Sequence, residues 1–260
     1  MLKICKQRKR KYFSLILAFI FIIFICFSII GHRYFVKDLL CGYAVKRLPI
    51  YRVEREDKKI AISFDCAWGN EYTQKLLDEM KLYDVKCTFF MVSFWAEKYE
   101  DDVKKIIEAG HEVATHSKTH SYMSKQSASV IDEELKYSTE IIEKISGTKV
   151  SLFRPPYGDY NNLLIERAEN FGLFTIQWDV DSLDWKNLSA KEIALRVISK
   201  VRNGSIILCH NNGLHTAESL PLIFADLKAK GYEFVKISDL IYKENYKMAN
   251  DGTQIKVELN

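Results

Sequence analysis

His116 and His120, four residues apart in His-Ser-Lys-Thr-His, give the sharpest chemical signal in the chain. At that spacing two imidazoles reach one cation from a single turn or tight loop. Such pairs also arise by chance, so the surroundings matter. Gly110-His111-Glu112-Val113-Ala114-Thr115 reads as a turn and a short strand that delivers the pair at its end. Four further groups occupy comparable positions. Asp65 closes the apolar run Ile60–Phe64, and Arg154 opens Arg-Pro-Pro-Tyr-Gly. Asp181 and Asp184 bracket Asp-Ser-Leu-Asp-Trp, and His210 ends Ile-Leu-Cys-His. Taken singly, each has an ordinary structural reading: a helix cap for Asp65, a Pro-Pro turn after a strand for Arg154, a satisfied hydrogen-bonder for His210. Taken together, a carboxylate, a histidine pair, an arginine, a second carboxylate position and a further histidine, each after a different strand, are the parts of metal-assisted hydrolysis with a separate base and acid.

The elements that must position these groups alternate. β-prone runs at 60–64, 87–92, 112–115, 150–153, 174–178, 205–209 and 233–236 are separated by segments with apolar residues at helical spacing, such as Ile131, Leu135 and Ile142. Alternation of this kind predicts an α/β fold of parallel strands with helical crossovers, either a doubly wound sheet or a barrel. Reactive residues at many strand ends favour a barrel, whose C-terminal ends converge on one mouth. Residues 58–243 are fewer than the roughly 250 of eight βα units, so a reduced, distorted barrel is expected.

Outside that domain the chain is organised differently. Six of its 38 Lys and Arg fall within residues 1–11, and the rest of the chain is close to neutral, which excludes a nucleic-acid binder with a basic face. Residues 12–30 contain no charge and are dominated by Ile, Phe and Leu. At 1.5 Å per residue they extend about 28 Å, enough to cross a bilayer. The run lacks a small-residue cleavage pattern and has its denser basic flank before it, so it reads as an uncleaved transmembrane signal anchor. The N-terminus is then cytoplasmic and the domain lies on the cell-envelope side. Residues 31–57 read as a stalk or lead-in and 244–260 as a polar tail without an assigned role. The six cysteines show neither a disulfide framework nor a C-x-x-C zinc pattern.

Five motifs in order, SFDC, HSKTH, RPPYG, DSLDW and LCH, make residues 58–243 resemble the polysaccharide deacetylase family, carbohydrate esterase family 4, also called the NodB-homology domain. The resemblance implies a distorted (β/α)7 barrel. It is nearest to the anchored, sporulation-type members, on the SFD-x-x-W-G and DSLDWKN stretches. It makes Asp65 the general base, with Arg154 orienting its carboxylate, and His210 the general acid, with Asp184 raising its pKa. The Tyr157 backbone N–H stabilises the oxyanion, while Pro155, Trp185 and Leu208 contact substrate. His116 and His120 bind a divalent metal, with zinc expected and cobalt or manganese as alternatives. The implied substrate is an N-acetylated cell-wall polysaccharide, with peptidoglycan foremost, and the implied assembly is a monomer. In one place the chain departs from the family pattern. Cys66 stands where a second aspartate supplies the third metal ligand, so it is either a thiolate ligand or a small buried hydrophobe. In the second case a glycan-binding or structural envelope protein on the same scaffold is the alternative to an active enzyme.

Overall fold

The computed structural model describes residues 46–257, together with Ile25. The expected anchor therefore lies outside the described residues, apart from Ile25. Among the described residues, no helix is long and apolar enough to cross a membrane.

The strands are β1 (Arg52–Val53), β2 (Lys59–Cys66), β3 (Thr88–Met91), β4 (Glu112–Thr115), β5 (Leu152–Phe153), β6 (Phe174–Thr175), β7 (Val180–Asp181), β8 (Ile206–His210), β9 (Glu233–Phe234), β10 (Tyr246–Met248) and β11 (Thr253–Lys256). The helices are α1 (Thr73–Leu82), α2 (Ser93–Lys98), α3 (Glu100–Glu108), α4 (Ala128–Ser146), α5 (Asn162–Asn170), α6 (Ala190–Ile198), α7 (Thr216–Ala229) and α8 (Ile237–Leu240). One parallel sheet runs β6-β5-β4-β3-β2-β8-β7, with β9 also pairing β2. The α/β expectation therefore holds, but β6 and β7 are not paired with each other. The expected barrel is an open path of strands, whose two edges are joined by the short link 176–179 instead of a helix.

β2 shows why this sequence makes a central strand. From Ile60 to Cys66 every residue is buried, as expected of a parallel strand covered on both faces. Period-two alternation then sorts the side chains. Ile60, Ile62, Phe64 and Cys66 join the larger core cluster, which also holds the buried faces of α1, α3, α4, α6 and α7. Ala61 belongs to a second, smaller cluster with Phe90, Ala114, Leu152 and Ile206 on neighbouring strands. Ser63 and Asp65 continue along that second face toward the C-terminal end. The same alternation in β8 places Ile207 and Cys209 in the larger cluster. Leu208 and His210 face the other way and reach the cleft.

Two boundaries need correction. The described parts of the lead-in, 46–57, and of the tail, 244–257, contribute strands: β1 pairs parallel with β11, which pairs antiparallel with β10. Ile50 bridges to Ile176 and Arg52 to Ser205, so this small sheet is fastened to the main one. Its strands are two to four residues long and carry charged residues, so they show no period to read.

Candidate active site

At the ends of β2 and β8, Asp65 and His210 are register partners across the strand pair. Parallel pairing thus puts a carboxylate and an imidazole side by side without help from any loop. Arg154, one residue beyond β5, is fully buried. Its Nη1 donates to Asp65 Oδ1 at 2.7 Å and its Nη2 to Ser63 Oγ at 2.8 Å. The guanidinium carbon lies 4.0 Å from the centre of the Phe90 ring, so the charge stacks on the small core cluster. Burial alone would push the Asp65 carboxyl up. The Arg154 guanidinium, with His210 adding to it, outweighs it and holds the group below its ordinary value, so Asp65 is ionised.

His210 has a partner of its own. Its Nδ1–H donates to Asp184 Oδ1 at 2.7 Å, and its backbone N–H donates to Asp184 Oδ2 at 2.7 Å. Thr216 Oγ1 donates to that second oxygen at 2.7 Å. Asp184 is fully buried in a 3₁₀ turn, Asp184–Lys186, just after β7. Burial would lower the His210 pKa, but the hydrogen bond and charge of Asp184 outweigh it and raise the group above its ordinary value. The two reactive groups are therefore tuned in opposite senses, which separates a base from an acid.

His116 Nδ1–H donates to the Arg154 carbonyl at 2.7 Å, which fixes the tautomer and leaves the Nε2 lone pair unprotonated, 3.5 Å from Asp65 Oδ2. Burial keeps this ring neutral. His120, in a left-handed conformation with φ 56°, stacks edge-on to His116 with ring centroids 5.0 Å apart. Its Nδ1 is buried without a hydrogen-bond partner, and burial pulls its pKa down to about 4. Two neutral imidazoles, one with an orphaned nitrogen, fit a divalent cation. Among the described residues no group of three or more His, Cys, Asp or Glu completes a metal cage.

Cys66 is not that third ligand in this geometry. Alternation along β2 turns its side chain away from the Asp65 face into the apolar cluster, where it is fully buried. Desolvation there, followed by the nearby Asp65 charge, pushes the thiol pKa well up, so it stays protonated. Pro155 also differs from expectation. It is buried beneath the turn, where its carbonyl accepts from Gly158 N, and does not line the cleft. That turn holds Tyr157 at φ 61°, ψ 8°, a strained left-handed conformation for a bulky residue.

Asp65, His116, His120 and His210 line a cleft of about 550 Å³, which Tyr157, Trp185 and Leu208 share. Trp68, Trp178 and Asn212 line it too, with no role assigned to them from sequence, as does Asp181, singled out there only as a strand-end carboxylate. Their signal was adjacency: each lies within three residues of a motif or within one. Glu134 on α4 was missed altogether. Its carboxylate accepts from Lys118 N at 2.8 Å, Thr119 N at 2.9 Å and Thr119 Oγ1 at 2.5 Å, and so anchors the loop between the two histidines.

Comparison with known proteins bears on this arrangement. The polysaccharide deacetylase family model matches residues 52–176. A peptidoglycan-N-acetylglucosamine deacetylase of Bacillus cereus is 32% identical over 196 residues, covering 74% of this chain and 92% of the enzyme. The chain belongs to the polysaccharide deacetylase family. Other family relatives are longer. YlxY of Bacillus subtilis, described as uncharacterized, is 36% identical over 193 residues, covering 74% of this chain and 60% of YlxY. The alignment with Listeria monocytogenes PgdA covers 41% of that enzyme. Among solved structures, BA3943 of Bacillus anthracis, described as a CE4 family pseudoenzyme, superposes with a TM-score of 0.72 at 31% identity, covering 81% of this chain and 73% of that one. A mutant of BA3943 is described as having restored enzymatic activity. Several of the relatives are named as peptidoglycan N-acetylglucosamine or N-acetylmuramic acid deacetylases.

Proposed function

We propose that this chain is a membrane-anchored, metal-dependent deacetylase that removes N-acetyl groups from a cell-wall glycan, peptidoglycan foremost. The observation that carries the reading is the Asp65–His210 register pair, with Arg154 behind the carboxylate and Asp184 behind the imidazole. Relatives named as peptidoglycan deacetylases support the substrate class. The uncharged run 12–30 behind a basic flank supports the anchor and an envelope-side domain. The distorted (β/α)7 description and a role in sporulation rest on the motif resemblance.

Asp65, ionised and oriented by Arg154, takes a proton from the attacking water. The Tyr157 N–H, held by its strained turn, donates to the oxyanion as the acetamide carbon becomes tetrahedral. His210 delivers its proton to the departing nitrogen, because an amine leaves poorly unless protonated. Acetate and a free amino sugar result. A cation held by His116 and His120, zinc being the expected metal, would supply Lewis-acid polarisation there.

The Cys66 geometry and the pseudoenzyme likeness favour a second reading, a glycan-binding scaffold without turnover. Acetate release from N-acetylated peptidoglycan, with zinc, cobalt or manganese supplied, separates the two. The deacetylase reading expects release by the full chain and its loss in Asp65→Asn and in His210→Ala. Glycan retention without acetate under every metal overturns it in favour of the scaffold.

A further inference from the structure

Two ammonium groups at the rim have no counterpart in the mechanism above. Lys125 Nζ lies 4.7 Å from the centre of the Tyr122 ring, and Tyr122 stacks on Tyr157 with centroids 4.3 Å apart and planes at 16°. Lys186 Nζ lies 5.0 Å from the centre of the Trp185 ring. Tyr157 and Trp185 both line the cleft and both are more than half exposed. Tyr157 follows β5, second from one edge of the strand order, and Trp185 follows β7 at the other edge. Neither ammonium forms an ion pair with a carboxylate among the described residues, whereas Lys75, Lys104, Lys105, Lys118 and Lys230 each do. A cation resting on an aromatic face keeps its charge while its flexible stem is held, so less freedom is lost when an anion arrives. Between them, the carboxylates of Asp65 and Asp181 line the cleft and suit hydroxyl and amide N–H groups, not anions.

Resting on the reading of this cleft as a glycan site, we propose that Lys125 and Lys186 select strands carrying carboxylates on or beside the N-acetylated sugar. Neutral N-acetylated chains offer the two cations nothing. The carboxylate can belong to a substituent of the sugar itself, such as a lactyl ether, or to a peptide attached to it, and the same two cations would meet either.

The test is equilibrium binding to the full chain in detergent micelles, carrying Asp65→Asn to prevent turnover and repeated with His210→Ala in case the first substitution disturbs folding. The ligands are peptidoglycan strands with their peptides, strands stripped of peptides by an amidase, the same strands with carboxylates converted to amides, and an N-acetylglucosamine hexamer. Carboxylated strands are expected to bind about tenfold tighter than amidated ones. The preference should vanish in Lys125→Gln/Lys186→Gln and return in Lys125→Arg/Lys186→Arg. Tight binding that survives stripping assigns the carboxylate to the sugar, and binding lost on stripping assigns it to the peptide. Equal affinity for carboxylated and amidated strands, or a preference that persists in the glutamine pair, overturns the proposal. Because binding is read without acetate, a selective chain that never releases acetate leaves this inference standing while the hydrolase reading falls. A chain that releases acetate but discriminates nothing has the opposite consequence.

Discussion

Asp184→Asn tests the acid at the level of one atom. The His210 ring donates to Oδ1 at 2.7 Å, and an amide oxygen there accepts the same bond without the charge that lifts the imidazole. The acid works only when protonated, so activity falls as pH rises through the raised His210 value. In Asp184→Asn that basic limb moves to lower pH, and neutral-pH turnover drops roughly 10²-fold or more. The sign for stability is the same. A raised histidine stabilises the fold fully below its ordinary value of 6.5 and loses the contribution as pH rises through the folded value. A pH–rate profile whose basic limb stays in place would remove Asp184 from this role. Cys66→Ala makes the opposite kind of prediction. The side chain touches only core, so the change should cost about 1 kcal/mol in chemical denaturation and leave metal stoichiometry unaltered. Loss of bound metal would show the thiol to be a ligand after all. At this scale Asp65, Arg154, Asp184 and His210 were legible because each is reactive and ends a strand or follows one. Cys66 was half legible: the sequence left it between a thiolate ligand and a small buried hydrophobe, and alternation along β2 turns it into the core. Glu134 was not legible, since an acid in an amphipathic helix reads as a solvated face until the loop it holds is seen.

At the scale of elements, the reliable strands were those with continuous apolar runs, β2, β3, β4 and β8, which pair centrally and are buried on both faces. β7 escaped because two residues, one of them Asp181, give no period, and because no helix precedes it. Six of the eight described helices, α1 and α3 to α7, were legible from spacing alone, whereas α2 and α8 are too short to show a helical period, and α6 also carries a capping box, with Ser189 and Glu192 satisfying each other's backbone N–H groups. Loops depend on side chains from elements elsewhere in the chain, and that dependence is testable. Glu134→Ala removes three acceptor contacts from Lys118 and Thr119 while leaving α4 intact. The expected cost is about 2–3 kcal/mol, with amide hydrogen exchange across residues 117–120 accelerated and that of β2 unchanged. Unaltered exchange in the loop would mean that its own backbone bonds, such as His120 N to Ser117 Oγ at 2.9 Å, are sufficient.

For the whole folded unit, the two ends of the described chain meet in one small sheet, and the meeting is close. Val53 N–H donates to the Gly204 carbonyl at 2.9 Å, and a Cβ on Gly204, whose φ is +75°, would lie 1.7 Å from the Val53 carbonyl oxygen. Gln254, fully buried on β11, accepts from Tyr242 N at 2.7 Å and donates to the Tyr242 carbonyl at 2.6 Å, which joins the tail to the segment after α8. A polar tail with no pattern in the sequence therefore closes the backbone bonds of β1 and of residue 242. Ending the chain after Lys243 strips those partners from buried groups, and each unsatisfied group costs about 1–3 kcal/mol. The truncated chain should unfold in urea in a single transition at a lower midpoint, with about 3–5 kcal/mol less stability. Gly204→Ala should lower the midpoint without shortening the chain, because the methyl group would clash with the Val53 carbonyl and displace β1 from the turn before β8. Tyr157 and Trp185 at the cleft mouth are not among the groups either variant strips of partners, so glycan affinity measured well below the transition should match the parent. An unchanged midpoint in the truncated chain would show that β10 and β11 add to a fold already complete without them.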